Sequence, residues 1–160
     1  MTRKLAWQCQ RGGQFGNHLD AAFIPFPDSS WETSYLVDWN GPGAIAQISG
    51  YYMPSAITYG VPVGKSGLAT GYTTGTITND SKDCYVMAMN YGAKFYDVFE
   101  VSNSTQGGDS GGPMWYGGNT AFNDPYLYGI TFSGDPNGSY GNGIKAGYIL
   151  SEFQLTLVEW

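Results

Sequence analysis

Charge is scarce in this chain of 160 residues: Asp, Glu, Lys and Arg together make up 12%, and there are one histidine and two cysteines. Cys9 and Cys84 allow at most one bridge, which excludes a disulfide framework and leaves the redox compartment undecided. With a single histidine beside them they do not make a structural zinc site, and no metal or other cofactor is expected. The seven Lys and Arg are scattered and the net charge is −6, so nucleic acid and anionic membranes are not expected as partners. No run of about 18 apolar residues exists, so no membrane-spanning helix is expected. A basic start, Met1 to Lys4, is followed by no apolar segment, and no signal peptide is expected in this chain.

Aromatic residues are plentiful at 16%, thirteen of them tyrosine, and glycine occurs 24 times. Such a composition favours a β-rich fold over disorder, and the length suits one domain or two small lobes with a shared interface. Short strands are predicted at Leu5 to Cys9, within His18 to Phe26 and at Ala44 to Ser49. Arg11 to Asn17 reads as a turn, residues 27–43 as an aromatic loop, and Gly50 to Gly60 as a connection between lobes. Val61 to Thr78 reads as two strands joined by a Ser-Gly turn, with further strands at Tyr85 to Met89, Phe95 to Val101 and Tyr126 to Phe132. Asp135 to Gly143 reads as a long polar turn without the alternating carboxylates of a calcium loop. One helix is predicted, in the tail: Ser151 and Gln154 have capping-box spacing, and Phe153, Leu157 and Trp160 share a face.

The most informative stretch is Gly107-Gly108-Asp109-Ser110-Gly111-Gly112-Pro113. Glycines permit sharp turns and leave amides uncovered, so a serine hydroxyl among them stands beside N–H donors. A nucleophilic oxygen next to an oxyanion hole is what acyl transfer needs. A serine hydroxyl is a weak nucleophile near neutral pH and also requires a base, itself oriented by an acid.

GDSGGP resembles the nucleophile segment of the chymotrypsin-like serine peptidases. The stretch Lys65-Ser66-Gly67 with Thr70-Gly71 and Gly75-Thr76 is similar to the start of the second barrel in the bacterial, streptogrisin and α-lytic branch. Asp20, in Asp-Ala-Ala after Gly16-Asn17, resembles the family's catalytic aspartate. The resemblance implies an all-β, chymotrypsin-like fold of antiparallel β-barrels. The first would be partial (residues 1–59, with the connection) and the second complete (residues 60–160), ending in a short helix. It implies Ser110 as nucleophile, the N–H groups of Gly108 and Ser110 as oxyanion hole, and a Lys65–Asp109 ion pair beneath that loop. Ser104, six residues before the nucleophile, with Thr105, Ser133 and Gly134, would line an uncharged pocket suited to an apolar or aromatic acyl side chain. The Asn-Ser-Thr glycosylation pattern at Asn103 is read as fortuitous. Secretion is also implied.

Two departures stand out. The cysteines usual around Lys65 to Gly75 are absent, so the family's disulfides do not carry over, and no Ala-His-Cys type motif precedes Asp20. By resemblance the chain covers about two thirds of such an enzyme, without the segment that carries the usual histidine. His18, two residues before Asp20, would point the same way in an extended segment and is the candidate for a displaced base. The expectation is a serine hydrolase acting on ester or peptide substrates, esters favoured because an amine leaving group needs protonation. The alternatives are a catalytically silent remnant that binds peptides or a partner, and an aromatic-rich carbohydrate-binding β module. A homodimer or larger oligomer through the partial first lobe is expected, because open strand edges invite pairing.

Overall fold

The computed structural model describes residues 13–22, 36–38, 45–88, 91–116 and 126–157. The strand expected at Leu5 to Cys9, the end of the strand predicted to run to Phe26, and the aromatic residues Trp31, Tyr35 and Trp39 lie outside them. Strands come in chain order as β1 Gly13–Gly16, β2 Leu19–Ala22, β3 Leu36–Asp38, β4 Ile45–Gln47 and β5 Gly50–Tyr51. A 3-10 turn at Pro54–Ala56 precedes β6 Pro62–Gly67, β7 Gly71–Ala88, β8 Tyr91–Val101, β9 Pro113–Tyr116, β10 Tyr126–Gly134 and β11 Gly141–Lys145. One helix, α1, spans Ala146–Glu152.

Six of these strands close on themselves. The sheet runs β11-β8-β7-β6-β9-β10, and β10 returns to pair with β11, while β5 adds to β10 in parallel. Closure leaves the six strands without an open edge, which is how an antiparallel barrel satisfies its backbone. The N-terminal strands form two separate two-stranded sheets, β1-β2 and β3-β4. The β1-β2 hairpin is seated on β8 through Asn17, whose N–H donates to Lys94 O at 2.8 Å and whose carbonyl accepts from Tyr96 N–H at 2.6 Å. Leu19 fixes that seat by joining the buried cluster of Phe95, Val98, Phe132 and Ile144. Burying such a side chain is worth about 1.5–3 kcal/mol. A second cluster holds Ile57, Val63, Ile77, Phe99, Val101, Met114 and Tyr128.

Several expectations are corrected. The turn predicted at Arg11 to Asn17 contains β1, and the loop predicted over 27–43 contains β3. The Ser66-Gly67 turn belongs to β6, with the reversal at Leu68 to Thr70. The polar stretch Asn79 to Asp83 does not interrupt β7. Three register shifts against β8, at Ile77/Asn79, Asn79/Lys82 and Lys82/Cys84, absorb it as bulges. The polar turn ends at Tyr140, where β11 begins; the glycines of β11 make room for the core, since a Cβ on Gly143 would lie 2.5 Å from Cε1 of Phe99.

The helix is displaced from its predicted place. Ser151 and Gln154 do not open it; they close it, in a Schellman arrangement with Gln154 at φ 52°. Leu155 N–H donates to Leu150 O at 2.8 Å and Gln154 N–H to Ser151 O at 3.3 Å. A spacing of Ser and Gln suited to a cap was matched by the opposite end of the helix. Among the described residues no helix is long and apolar enough to cross a membrane.

Candidate active site

Ser110 sits in the connection between β8 and β9, three residues before Pro113 starts β9 on the far side of β6. Two consecutive turns shape it: Asp109 N–H donates to Gln106 O at 3.0 Å, and Gly112 N–H donates to Asp109 O at 2.9 Å. The flanking Gly108 at φ 109° and Gly111 at φ 85° hold backbone conformations that side chains disfavour, so glycine is required at both. Gly111 N–H then donates to Thr131 O and Thr131 N–H to Gly112 O, each at 2.8 Å, which clips the segment onto β10. The result is an alternation in which Asp109 is fully buried and Ser110 is exposed. Asp109, Gly111 and Gly112 all donate to backbone carbonyls. Among the described residues the N–H groups of Gly108 and Ser110 do not.

Below the loop, Lys65 Nζ lies 2.9 Å from Asp109 Oδ2, with both side chains wholly inaccessible. Asp109 also accepts from Ala69 N–H at 2.9 Å, Thr70 N–H at 3.0 Å, Gln106 N–H at 3.0 Å and Thr70 Oγ1 at 2.8 Å. Burial alone would raise its pKa, but these donors, led by Gln106 N–H and Lys65, outweigh it and hold the carboxyl well below the usual carboxylate range. β6 places Lys65 there because it is the strand between β7 and β9, with Lys65 opposite Thr73 on one side and Met114 on the other.

A cavity of about 240 Å³ opens beside Ser110, lined by Thr105, Gln106, Gly107, Thr131, Ser133, Gly134, Asp135 and Pro136. Its lining residues carry hydroxyls, an amide and one carboxyl group in place of large apolar groups. Thr105, Ser133 and Gly134, expected from the sequence, all line it. Ser104 does not: it is exposed, and its carbonyl accepts from Thr73 Oγ1 at 3.3 Å. Asn103 is wholly buried, its Nδ2 donating to Thr73 O at 2.9 Å and Val63 O at 3.3 Å, which removes it from glycosylation in the folded state. Thr131 also lines the cavity, a residue the family resemblance does not point to. Its signal is alternation along β10: Ile130 and Phe132 pack toward the Phe95 cluster, so Thr131 and Ser133 take the other face.

Asp20 lies on β2 opposite Phe15, next to buried Leu19, and burial pushes its carboxyl up. His18 is in the tight turn between β1 and β2, after Asn17 at φ 60°, so the extended geometry that would align it with Asp20 is absent. Its Nδ1 lies 3.0 Å from Tyr96 O, and its ring packs on Tyr148 with centroids 4.6 Å apart. That ring lines a separate cavity with Asn17, Leu19, Tyr96, Tyr148, Ser151 and Glu152. The structure therefore does not bring His18 and Ser110 into one cavity. Cys84 carries a free thiol, and Cys9 lies outside the described residues. Among the described residues no group of three or more His, Cys, Asp or Glu side chains is gathered for a metal.

No protein-family model matches the chain, and no curated protein does. Solved structures match it. It is similar to Cellulomonas bogoriensis chymotrypsin at 25% identity with a TM-score of 0.71, over 93% of this chain and 74% of that one. Thermobifida fusca protease A gives 25% identity and a TM-score of 0.64 over 83% of this chain, and Nocardiopsis protease 24%, 0.68 and 90%. The alignment takes in 65% of the Thermobifida protein and 69% of the Nocardiopsis one. The chain has the fold of the chymotrypsin-like serine proteases, and it spans about two thirds of the length of these neighbours, 65% for the Thermobifida protein.

Proposed function

We propose that this chain is the nucleophile-bearing part of a serine hydrolase that cleaves ester or peptide bonds through an acyl-enzyme on Ser110. One observation carries the reading: an exposed Ser110 stands on a loop whose Gly108 and Ser110 N–H groups donate to no acceptor among the described residues, locked from below by the buried Asp109. Preorganised donors of this kind stabilise the oxyanion of acyl transfer without rearrangement during the reaction, and losing one such donor typically costs about 10²–10³-fold in rate. The neighbours named as proteases and a chymotrypsin support a peptide as substrate class.

Among the described residues no histidine lines the Ser110 cavity. Activated esters, whose leaving group departs without a proton, are therefore the substrates favoured for the chain by itself. Thr105 and Thr131 form the buried wall of the cavity and carry no charge, so the acyl side chain is read as neutral. Separation of His18 from Ser110 also supports a second reading, a catalytically silent module that binds a peptide or partner. A fluorophosphonate probe divides the two. Labelling that disappears in Ser110→Ala supports the hydrolase, whereas a chain that resists the probe and still retains peptides supports the binding module.

A further inference from the structure

Among the described residues, charge enters the Ser110 cavity at one place. Asp135 is the first residue beyond β10, directly after the Ser133-Gly134 wall, and its carboxylate is the one acidic group among the cavity's lining residues. From sequence, Asp135 reads as part of a polar turn and the pocket as uncharged. In the structure the turn is what fixes the acid. Asp135 N–H donates to Tyr140 O at 3.1 Å, Asp135 O accepts from Gly138 N–H at 2.8 Å, and Oδ2 accepts from Ser139 Oγ at 2.6 Å and Ser139 N–H at 3.4 Å. These donors, with Asn137, favour the ionised carboxyl and hold it below its ordinary value. All of them are neutral.

Among the described residues no cation is left to neutralise it. Each described lysine is engaged with another acid: Lys65 with Asp109, Lys82 with Glu100, Lys94 with Asp83 and Lys145 with Asp97. An ionised, preorganised and half-exposed carboxylate on a residue that lines a cavity, paired with none of the described lysines, is complementary to a cation that arrives from outside. The net charge of −6 adds long-range attraction of the same sign. Burial orders the cavity: Thr105 and Thr131 are at its inner wall, while Gly134 and Pro136 are exposed at its mouth on either side of half-buried Asp135. A neutral acyl side chain inside and a cation at the mouth thus occupy different parts of one groove.

We infer that Asp135 is a specificity residue that engages a lysine or arginine side chain of the substrate, on the acyl side and upstream of the residue held beside Ser110. This rests on the proposed acyl-transfer role of Ser110 for its register, and the test separates the two. Three peptides that differ only by lysine, norleucine or glutamate at the upstream positions are titrated onto the Ser110→Ala chain by fluorescence polarisation. They are then presented as p-nitrophenyl esters to the intact chain. Lysine should be favoured over norleucine by up to about fivefold, the size of a half-exposed ion pair, with glutamate weakest. The lysine advantage should shrink in 0.5 M salt, and the lysine-to-norleucine ratio should fall to about one in Asp135→Asn, which keeps the acceptor for Ser139. Equal binding of all three peptides, or an undiminished ratio in Asp135→Asn, overturns the inference. If the esters are not turned over while the binding preference persists, it is the hydrolase reading that fails.

Discussion

Gly67 and Asp109 occupy the same space, and only the missing side chain of one lets the other be buried. A Cβ on Gly67 would lie 2.5 Å from Cγ of Asp109 and 2.8 Å from its Cβ. The Lys-Ser-Gly stretch and the GDSGGP loop, 40 residues apart, are therefore two halves of one contact in which Lys65 supplies the charge and Gly67 the room.

Gly67→Ala should push Asp109 out of its seat. The expected loss of stability is about 1–3 kcal/mol, the usual cost of overpacking a filled site, and the fluorophosphonate reaction of Ser110 should slow with it. Urea unfolding with labelling kinetics on the same variant checks both. Unchanged labelling with full stability would mean that the loop does not depend on this contact.

Lys65→Met should cost about 3–5 kcal/mol, because it leaves Asp109 buried and charged without its cation. The pH dependence has a definite sign. The folded carboxyl titrates below its unfolded value of about 3.9, so its contribution is present above about pH 4 and is lost as pH falls toward the folded value. Urea midpoints should drop on acidification below about pH 4, and Asp109→Asn should flatten that limb.

Asp97 combines an ion pair with an unfavourable backbone. It sits at φ 52°, its Oδ1 accepts from the nearly inaccessible Lys145 at 2.7 Å, and its Oδ2 accepts from Tyr148 at 2.5 Å. Burial and then Asp97 push the Tyr148 phenol up to about 12. Asp97→Gly and Asp97→Ala both strand Lys145, but glycine tolerates the left-handed conformation. Thermal unfolding should therefore find Asp97→Gly the milder of the two by about 1 kcal/mol.

Ser110→Ala should abolish hydrolysis of a p-nitrophenyl ester. His18→Ala is expected to change the rate less than twofold, because His18 rests on Tyr148 and Tyr96 in a different cavity. A working general base contributes about 10²–10⁴-fold, so a loss of that size in His18→Ala would restore it as the base.

Self-association is the remaining expectation. The strands of β1-β2 and β3-β4 pair in two-stranded sheets outside the closed barrel's sheet, and a two-stranded sheet is marginal in water without further pairing or packing. We expect light scattering at tens of micromolar to give a mass above the 17.3 kDa of one chain. A monomer mass would show that these strands are covered within a single copy.

Local chemistry was written in the sequence. Glycine is the residue for a left-handed backbone, so Gly108 and Gly111 announce an exposed serine loop wherever that loop is placed. β-branched and aromatic runs marked β8 and β10 for the same local reason. What the tertiary structure decided is every feature whose cause lies far along the chain. β11 reads as turn because its glycines answer to Thr105 and Phe99, residues that no local pattern places beside them. Thr105 in place of Ser104 lines the cavity because the path of the connection after β8 turns one side chain in and leaves the next outside. Ser151 and Gln154 end a helix whose start was set by the close of β11. His18 lies away from Ser110 because Asn17 and Leu19 seat its hairpin on β8. Spacing in sequence fixes conformation over a few residues, whereas distance across a barrel is set by which strands pair.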